Sequence, residues 1–163
     1  MPPATGAFNT YLHGAVIAFQ KVAGLARTGV MGKADWVALA KAQPVTPTQS
    51  SPANRIEVDK TRQILIKLRG GKSAGVLPVS TGATKNTPEG VHNIRWKAPT
   101  KTTWLGPSIL YRTLTFFGNA FAIHGWKDLP AYAASAGCVH VPIWTADWLY
   151  DRSPVGETVI VHR

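Results

Sequence analysis

Hydrophobic positions recur at helical spacing in residues 7–43 and at alternating spacing after residue 55. Ala15, Val16, Phe19 and Val22 fall three and four apart, which predicts one face of a helix stopping at Gly24. Trp36, Leu39 and Ala40 repeat the spacing and predict a second helix over Lys33–Ala42, ended by Pro44. The turn-rich Gly29-Val30-Met31-Gly32 lies between them. Two short helices bury too little apolar surface to make a stable domain of their own. Residues 44–53 hold three prolines, two threonines, two serines and no charge, which predicts an extended, hydrated spacer. A structured surface loop is the alternative.

Beyond the spacer, Ile56 and Val58 alternate with Glu57 and Asp59, and Ile64, Ile66 and Leu68 share one face of a second strand. Gly70-Gly71 marks a hairpin, Val76–Thr81 the next strand and Val91–Trp96 another. Residues 97–108 are rich in Thr, Pro and Lys and predict a long loop. Two strands joined at Gly118-Asn119 follow over residues 109–124, the second carrying His124 to the rim of a sheet. Pro142 opens an amphipathic helix with Ile143, Ala146 and Leu149 on one face; Pro154 and Gly156 end it, and Glu157–Val161 closes the fold as a strand. The expected architecture is mainly β: an antiparallel sandwich or barrel-like domain with a short helix near its C-terminal end, preceded by a small α-helical segment.

Composition narrows the picture. With 45% apolar residues over 163 positions, the chain supports a real core. A net charge of +10 favours anionic partners such as nucleic acid, an anionic membrane face or an anionic cell wall. The basic residues are scattered singly and form no nucleic-acid motif, so a nucleic-acid partner is not expected. No apolar run is long enough to span a membrane, and Met1-Pro2-Pro3 does not open a signal peptide.

The candidate chemistry sits in HGWKDLPAYAASAGCVHV, residues 124–141. It holds the one cysteine, Cys138, which excludes an internal disulfide. His124 lies fourteen residues before the sulfur and His140 two after. A thiol becomes a strong nucleophile when a neighbouring base takes its proton. A lone cysteine is otherwise a small buried hydrophobe, and spacing alone leaves both readings open. One cysteine with scattered histidines does not make a zinc site, so no metal is expected.

His124-Gly125, followed after a gap by Ser135-Ala136-Gly137-Cys138-Val139, resembles the signature of the L,D-transpeptidase (YkuD-like) family. Val79-Ser80-Thr81-Gly82 with Asn86-Thr87-Pro88-Glu89-Gly90 is similar to the segment preceding that site, and the resemblance covers roughly residues 54–163. Ahead of it, Ala15-Val16, Phe19-Gln20, Gly24-Leu25, Thr28-Gly29 and Trp36 with Leu39 resemble the second half of a three-helix peptidoglycan-binding module. The implied organisation is a partial helical binding module at 1–43, a linker at 44–53 and a catalytic domain at 54–163. The same helices that only dock on the catalytic domain are the alternative.

The resemblance implies acyl transfer in cell-wall cross-linking, with peptidoglycan stem peptides as substrates and no cofactor. It assigns Cys138 as nucleophile, His124 as base and the backbone N–H groups of Gly137 and Cys138 as an oxyanion hole. Ser135, Gly125, Trp126 and His140 are the expected substrate-binding residues. Carbapenem-type β-lactams are the expected covalent inhibitors, the state a monomer, and the location extracytoplasmic, secreted or wall-associated. The chain departs from the family at Ala136, where His is usual, and at His140, where Arg is common. An imidazole at 140 is expected to titrate near neutrality. A catalytically impaired wall-binding protein that retains the fold is the alternative.

Overall fold

The computed structural model describes residues 6–102 and 109–163. Its elements are α1 (Thr10–Ala23), α2 (Lys33–Ala40), β1 (Arg55–Asp59), β2 (Ile64–Arg69), β3 (Lys72–Pro78), β4 (Gly90–Asn93), β5 (Trp96–Thr102), β6 (Ile109–Phe117), β7 (Phe121–Trp126), β8 (Val139–Pro142), α3 (Ile143–Asp151) and β9 (Thr158–His162). The strands form a five-stranded sheet, in the order β3-β2-β1-β9-β4, and a four-stranded sheet, in the order β5-β6-β7-β8.

The inner faces of the two sheets make one core. Ile56, Val58, Leu65, Val79, Val159 and Val161 come from the first sheet side, and Leu114, Phe116, Ile123, Val139 and Val141 from the second, with Ala146 and Leu149 of α3 closing it. This is the expected β-sandwich, with one difference in pairing. β1–β9 and β7–β8 are parallel, and every other pair is antiparallel. A parallel neighbour requires a crossover: residues 127–138 carry the chain from β7 to β8, and β1 reaches β9 only through all the elements between them.

Two stretches differ from the pattern-based expectation. Residues 91–96 are not one strand: the chain changes sheets there, Ile94 N–H donating to Glu157 O (2.8 Å) and Arg95 N–H to Thr115 O (2.7 Å). The loop expected over 97–108 begins as strand β5, paired with β6 from Trp96↔Thr115 to Thr102↔Ile109; its part at 103–108 lies outside the described residues. Lysine and threonine obscured that strand because only cross-strand partners stabilise it.

The first sheet is covered on its outer face as well. Ile64, Ile66 and Leu68 do share one side of β2, and they pack there against Val22 of α1, Val45 and Val76. Asn9 Oδ1 caps α1 by accepting from Leu12 N–H (3.0 Å), and Gly24, at φ 68°, ends it. The buried face is wider than the expected one: Val16 is buried and Phe19 and Val22 half-buried as the spacing predicts, Gly14, Ile17, Ala18, Gln20 and Lys21 are buried as well, and Ala15 is exposed. Lys21 Nζ donates to Val79 O at 2.8 Å inside this contact, and burial, with the Arg27 charge second, lowers its pKa to about 7. α2 buries none of its residues, and Trp36 and Leu39 stay exposed. Buried Gln20 ties the two helices together through Thr28, Val30 and Asp35.

The spacer over 44–53 has no helix or strand, yet it is anchored. Thr48 N–H (2.8 Å) and Gln49 N–H (3.3 Å) donate to Glu57, which also pairs with Arg55 at 2.7 Å. Glu57 and Asp59, polar positions that alternation assigns to the solvent side, are both buried, Asp59 paired with Arg62 at 2.7 Å.

Candidate active site

Strands β7 and β8 run parallel with His124 opposite His140 and Ile123 opposite Val139. Ile123 and Val139 are fully buried in the core, so alternation turns both histidines to the outer face of the second sheet. Their rings meet edge to face at 4.7 Å between centroids, and Trp126 stacks on His140 at 4.4 Å and 9°. His124 Nδ1 lies 3.2 Å from Gly125 O. A carbonyl only accepts, so the neutral ring carries its proton on Nδ1 and keeps the Nε2 lone pair. Burial lowers the His124 pKa to about 4 and, helped by the neighbouring His124, that of His140 to about 3. Both rings are neutral at neutral pH. The expected titration of His140 near neutrality is thereby corrected: stacked under Trp126, it has little water to stabilise a charge.

Cys138 is half-buried just before β8, and its Sγ lies 3.5 Å from Ala120 O, the acceptor of its weak S–H donor. Burial raises its pKa; the backbone at Ala122 and the Lys101 charge pull the other way. The thiol and the imidazole are both neutral at rest.

The loop that delivers the sulfur is clamped from the opposite sheet. Ser80 and His140 exchange backbone hydrogen bonds (Ser80 N–H to His140 O, 3.1 Å; His140 N–H to Ser80 O, 2.9 Å). Ser135 N–H donates to Thr81 O, and Ala83 N–H to Ser135 O. Asn86 Nδ2 donates to Ala136 O (2.9 Å), and Thr87 Oγ1 donates to Gly137 O (2.8 Å) while accepting from Gly82 N–H (2.8 Å). Lys60 Nζ in turn holds Lys85 O and Thr87 O, each at 2.8 Å. Gly137 sits at φ 137°, and a Cβ there would lie 2.7 Å from the Phe121 ring, so only glycine fits beside the thiol.

Three expected site residues take other roles in this geometry. Ser135 is buried, and its Oγ already accepts from Gly137 N–H (3.0 Å) and donates to Cys138 O (2.5 Å), so it shapes the loop rather than offering a free hydroxyl. That bond also occupies the Gly137 N–H assigned to the oxyanion hole. Gly125 is a close-packing position: a Cβ there would meet Ala146 Cβ at 2.9 Å and Tyr111 at 3.1 Å. His124, His140 and Trp126 are brought together as a cluster. The clamp residues Ser80, Asn86, Thr87 and Lys60 were not among the expected site residues. The run from Ser80 to Gly90 carried the signal for Ser80, Asn86 and Thr87, but its Pro88 and Gly90 are explained equally well by a turn, and Lys60 lies outside it.

A profile of the L,D-transpeptidase catalytic domain (YkuD) matches residues 53–161, and one of a peptidoglycan binding domain matches residues 1–39. The fold is similar to the L,D-transpeptidase from Xylanimonas cellulosilytica, at 30% identity and TM-score 0.91, covering 99% of this chain and 85% of that one. It also resembles the enzyme from Stackebrandtia nassauensis, at 24% identity and TM-score 0.65, covering 100% and 83%. A third similar structure, an L,D-transpeptidase in complex with imipenem, is 18% identical with TM-score 0.62, covering 68% and 59%, a likeness of fold alone. No curated protein sequence matches. With its catalytic-domain profile spanning most of its length, the chain belongs to the YkuD family of L,D-transpeptidases.

Proposed function

We propose that this protein cross-links peptidoglycan by cysteine acyl transfer, with Cys138 as nucleophile and His124 as base. The observation that carries the reading is the His124 ring: buried, neutral at neutral pH, and fixed through Nδ1 with its Nε2 lone pair available. His124 Nε2 takes the thiol proton as sulfur attacks the carbonyl joining the L-centre of a diamino acid to D-alanine. The C–N bond breaks, the imidazolium returns its proton to the departing D-alanine amine, and a thioester remains on Cys138. An acceptor amine from a neighbouring stem then attacks the thioester. His124 removes the amine's proton, and the sulfur leaves and is reprotonated.

Because burial raises the thiol and lowers the imidazole, proton transfer accompanies attack rather than preceding it. Cys138 N–H is the donor we assign to the developing oxyanion, since Gly137 N–H is held by Ser135. Trp126 and His140 form an apolar wall that keeps the base dry. Side chains and backbone suffice for these steps, so we assign no cofactor or metal. We divide the chain into a partial binding module at 1–43, a linker at 44–53 and a catalytic domain at 54–163, acting as a monomer on the wall outside the cytoplasm. Carbapenems fit as covalent inhibitors because their strained carbonyl offers the same attack.

The committed Gly137 N–H and the apolar Ala136 favour a second reading, a slow enzyme whose main contribution is wall binding. Release of D-alanine from a soluble tetrapeptide stem separates the two. The first reading predicts multiple turnovers that Cys138→Ala removes; at most one turnover per protein supports the second.

A further inference from the structure

A groove of about 830 Å³ runs between α1, the edge strand β3 and α3, away from the described chemistry. Trp144 and Trp148, one turn apart on α3, form one wall and Tyr11 the other. Trp144 packs over Gly14 of α1 and Trp148 over Gly75 of β3, so both indoles are fixed by the fold. Tyr11 is 40% exposed and meets Trp144 edge to face at 6.4 Å. The Tyr11 hydroxyl and the two indole N–H groups make no hydrogen bond among the described residues. Asn9, Thr145 and Asp147 add polar atoms to the same walls. The Thr145 hydroxyl donates to Pro142 O and still has lone pairs to accept, and Asp147 is held by Tyr111 and Arg112.

We propose that this groove binds the glycan strand of peptidoglycan, a chain of N-acetylated hexosamine rings, while the stem peptide goes to Cys138. The inference rests on the reading under Proposed function. Fixed aromatic faces with unclaimed donors at their edges suit a ligand that is apolar on its ring faces and polar around its rim, as a pyranose is. A lipid chain would leave those donors unpaired. The groove is also composite. One wall comes from residues inside the peptidoglycan-binding match, and the floor and other wall come from the catalytic-domain match. The ligand chemistry shared by those two families is peptidoglycan itself. β8 ends at Pro142, which lines the groove, so the groove and the Cys138 loop lie at opposite ends of one short strand.

The test uses the whole chain, titrated with glycan strands stripped of stem peptide and followed by tryptophan fluorescence. In parallel, Cys138 acylation by a carbapenem is followed by intact mass. Saturable binding of the stripped strands is expected, weakened about tenfold by Tyr11→Ala and by Trp144→Ala, with acylation unchanged. Tyr11 is a surface residue, so its variant keeps the fold even if Trp144→Ala loosens α1. Acylation without glycan binding overturns the groove and leaves the transpeptidase reading intact. Glycan binding without acylation supports the groove and removes that reading. Binding that neither variant weakens, or equal binding of a cello-oligosaccharide lacking acetamido groups, overturns the proposal.

Discussion

Ile123 and Val139, the neighbours of His124 and Cys138, are both fully buried between the sheets. There the likeness between the two halves of the site ends. His124 lies within a strand, paired on both sides by β6 and β8, and its position follows from the core. Cys138 lies at the end of a loop with no strand of its own. Its position follows from hydrogen bonds that Ser80, Thr81, Asn86 and Thr87 make across to residues 134–140. Packing fixes the imidazole, and a polar clamp fixes the thiol. Packing is spread over many contacts and resists single changes, whereas a clamp of a few buried hydrogen bonds is sensitive to each one.

The largest expected effect is that of Cys138→Ala. It should abolish D-alanine release and carbapenem adducts while circular dichroism stays unchanged, because a half-buried thiol is replaced by a smaller apolar group. Residual turnover above background would remove the sulfur from the mechanism. His124→Ala should slow acylation by about a hundredfold or more, the scale of a positioned acid–base group, measured by stopped-flow loss of carbapenem absorbance. If His140→Ala has that effect and His124→Ala does not, the base is misassigned.

Thr87→Val tests the clamp. It leaves Gly82 N–H and Gly137 O without their partner, which costs about 1–3 kcal/mol of stability by urea titration. It should also slow acylation about tenfold, the result of a misplaced sulfur, without moving the pH profile. An unchanged acylation rate in a destabilised variant would mean that the clamp serves the fold alone. The smallest effect expected is none: the ring signals of His124 and His140 in NMR should stay at their neutral positions from pH 8 down to pH 5. Their folded pKa values lie below the unfolded value near 6.5, so their burial favours the fold least in acid. Stability from this source is present above about pH 6.5 and is lost as pH falls through about 4. A ring that titrates near 6.5 would show that water reaches the stack.

The difference between core and clamp also explains what could be read from the sequence. The strand alternation around Ile56–Val58, Ile64–Leu68 and His124 was legible because one face of each strand is apolar and period two is rigid. The family was legible from the His124–Cys138 segment. The clamp was not, because hydrogen bonds from Thr87 and Asn86 span 50 positions and leave no local pattern. The titration of His140 was misread for a related reason: the stacking of Trp126 depends on the parallel pairing of β7 with β8, which periodicity does not encode. The spacer's composition announced a break in regular structure, but its attachment to Glu57 depends on a charge buried far below the sequence signal. One consequence is that deleting residues 1–43 uncovers Ile64, Ile66 and Leu68 and should lower the unfolding temperature, rather than leaving the rest of the chain unaffected.

The measurement closest to the central claim is the rate of carbapenem acylation of the intact chain from pH 3 to pH 8, with the adduct located by peptide mass mapping. The account predicts a single adduct on Cys138 and an acid limb with its midpoint near pH 4, where His124 gains a proton. A folded protein with no adduct on Cys138, or a midpoint between pH 6 and 7, would contradict it.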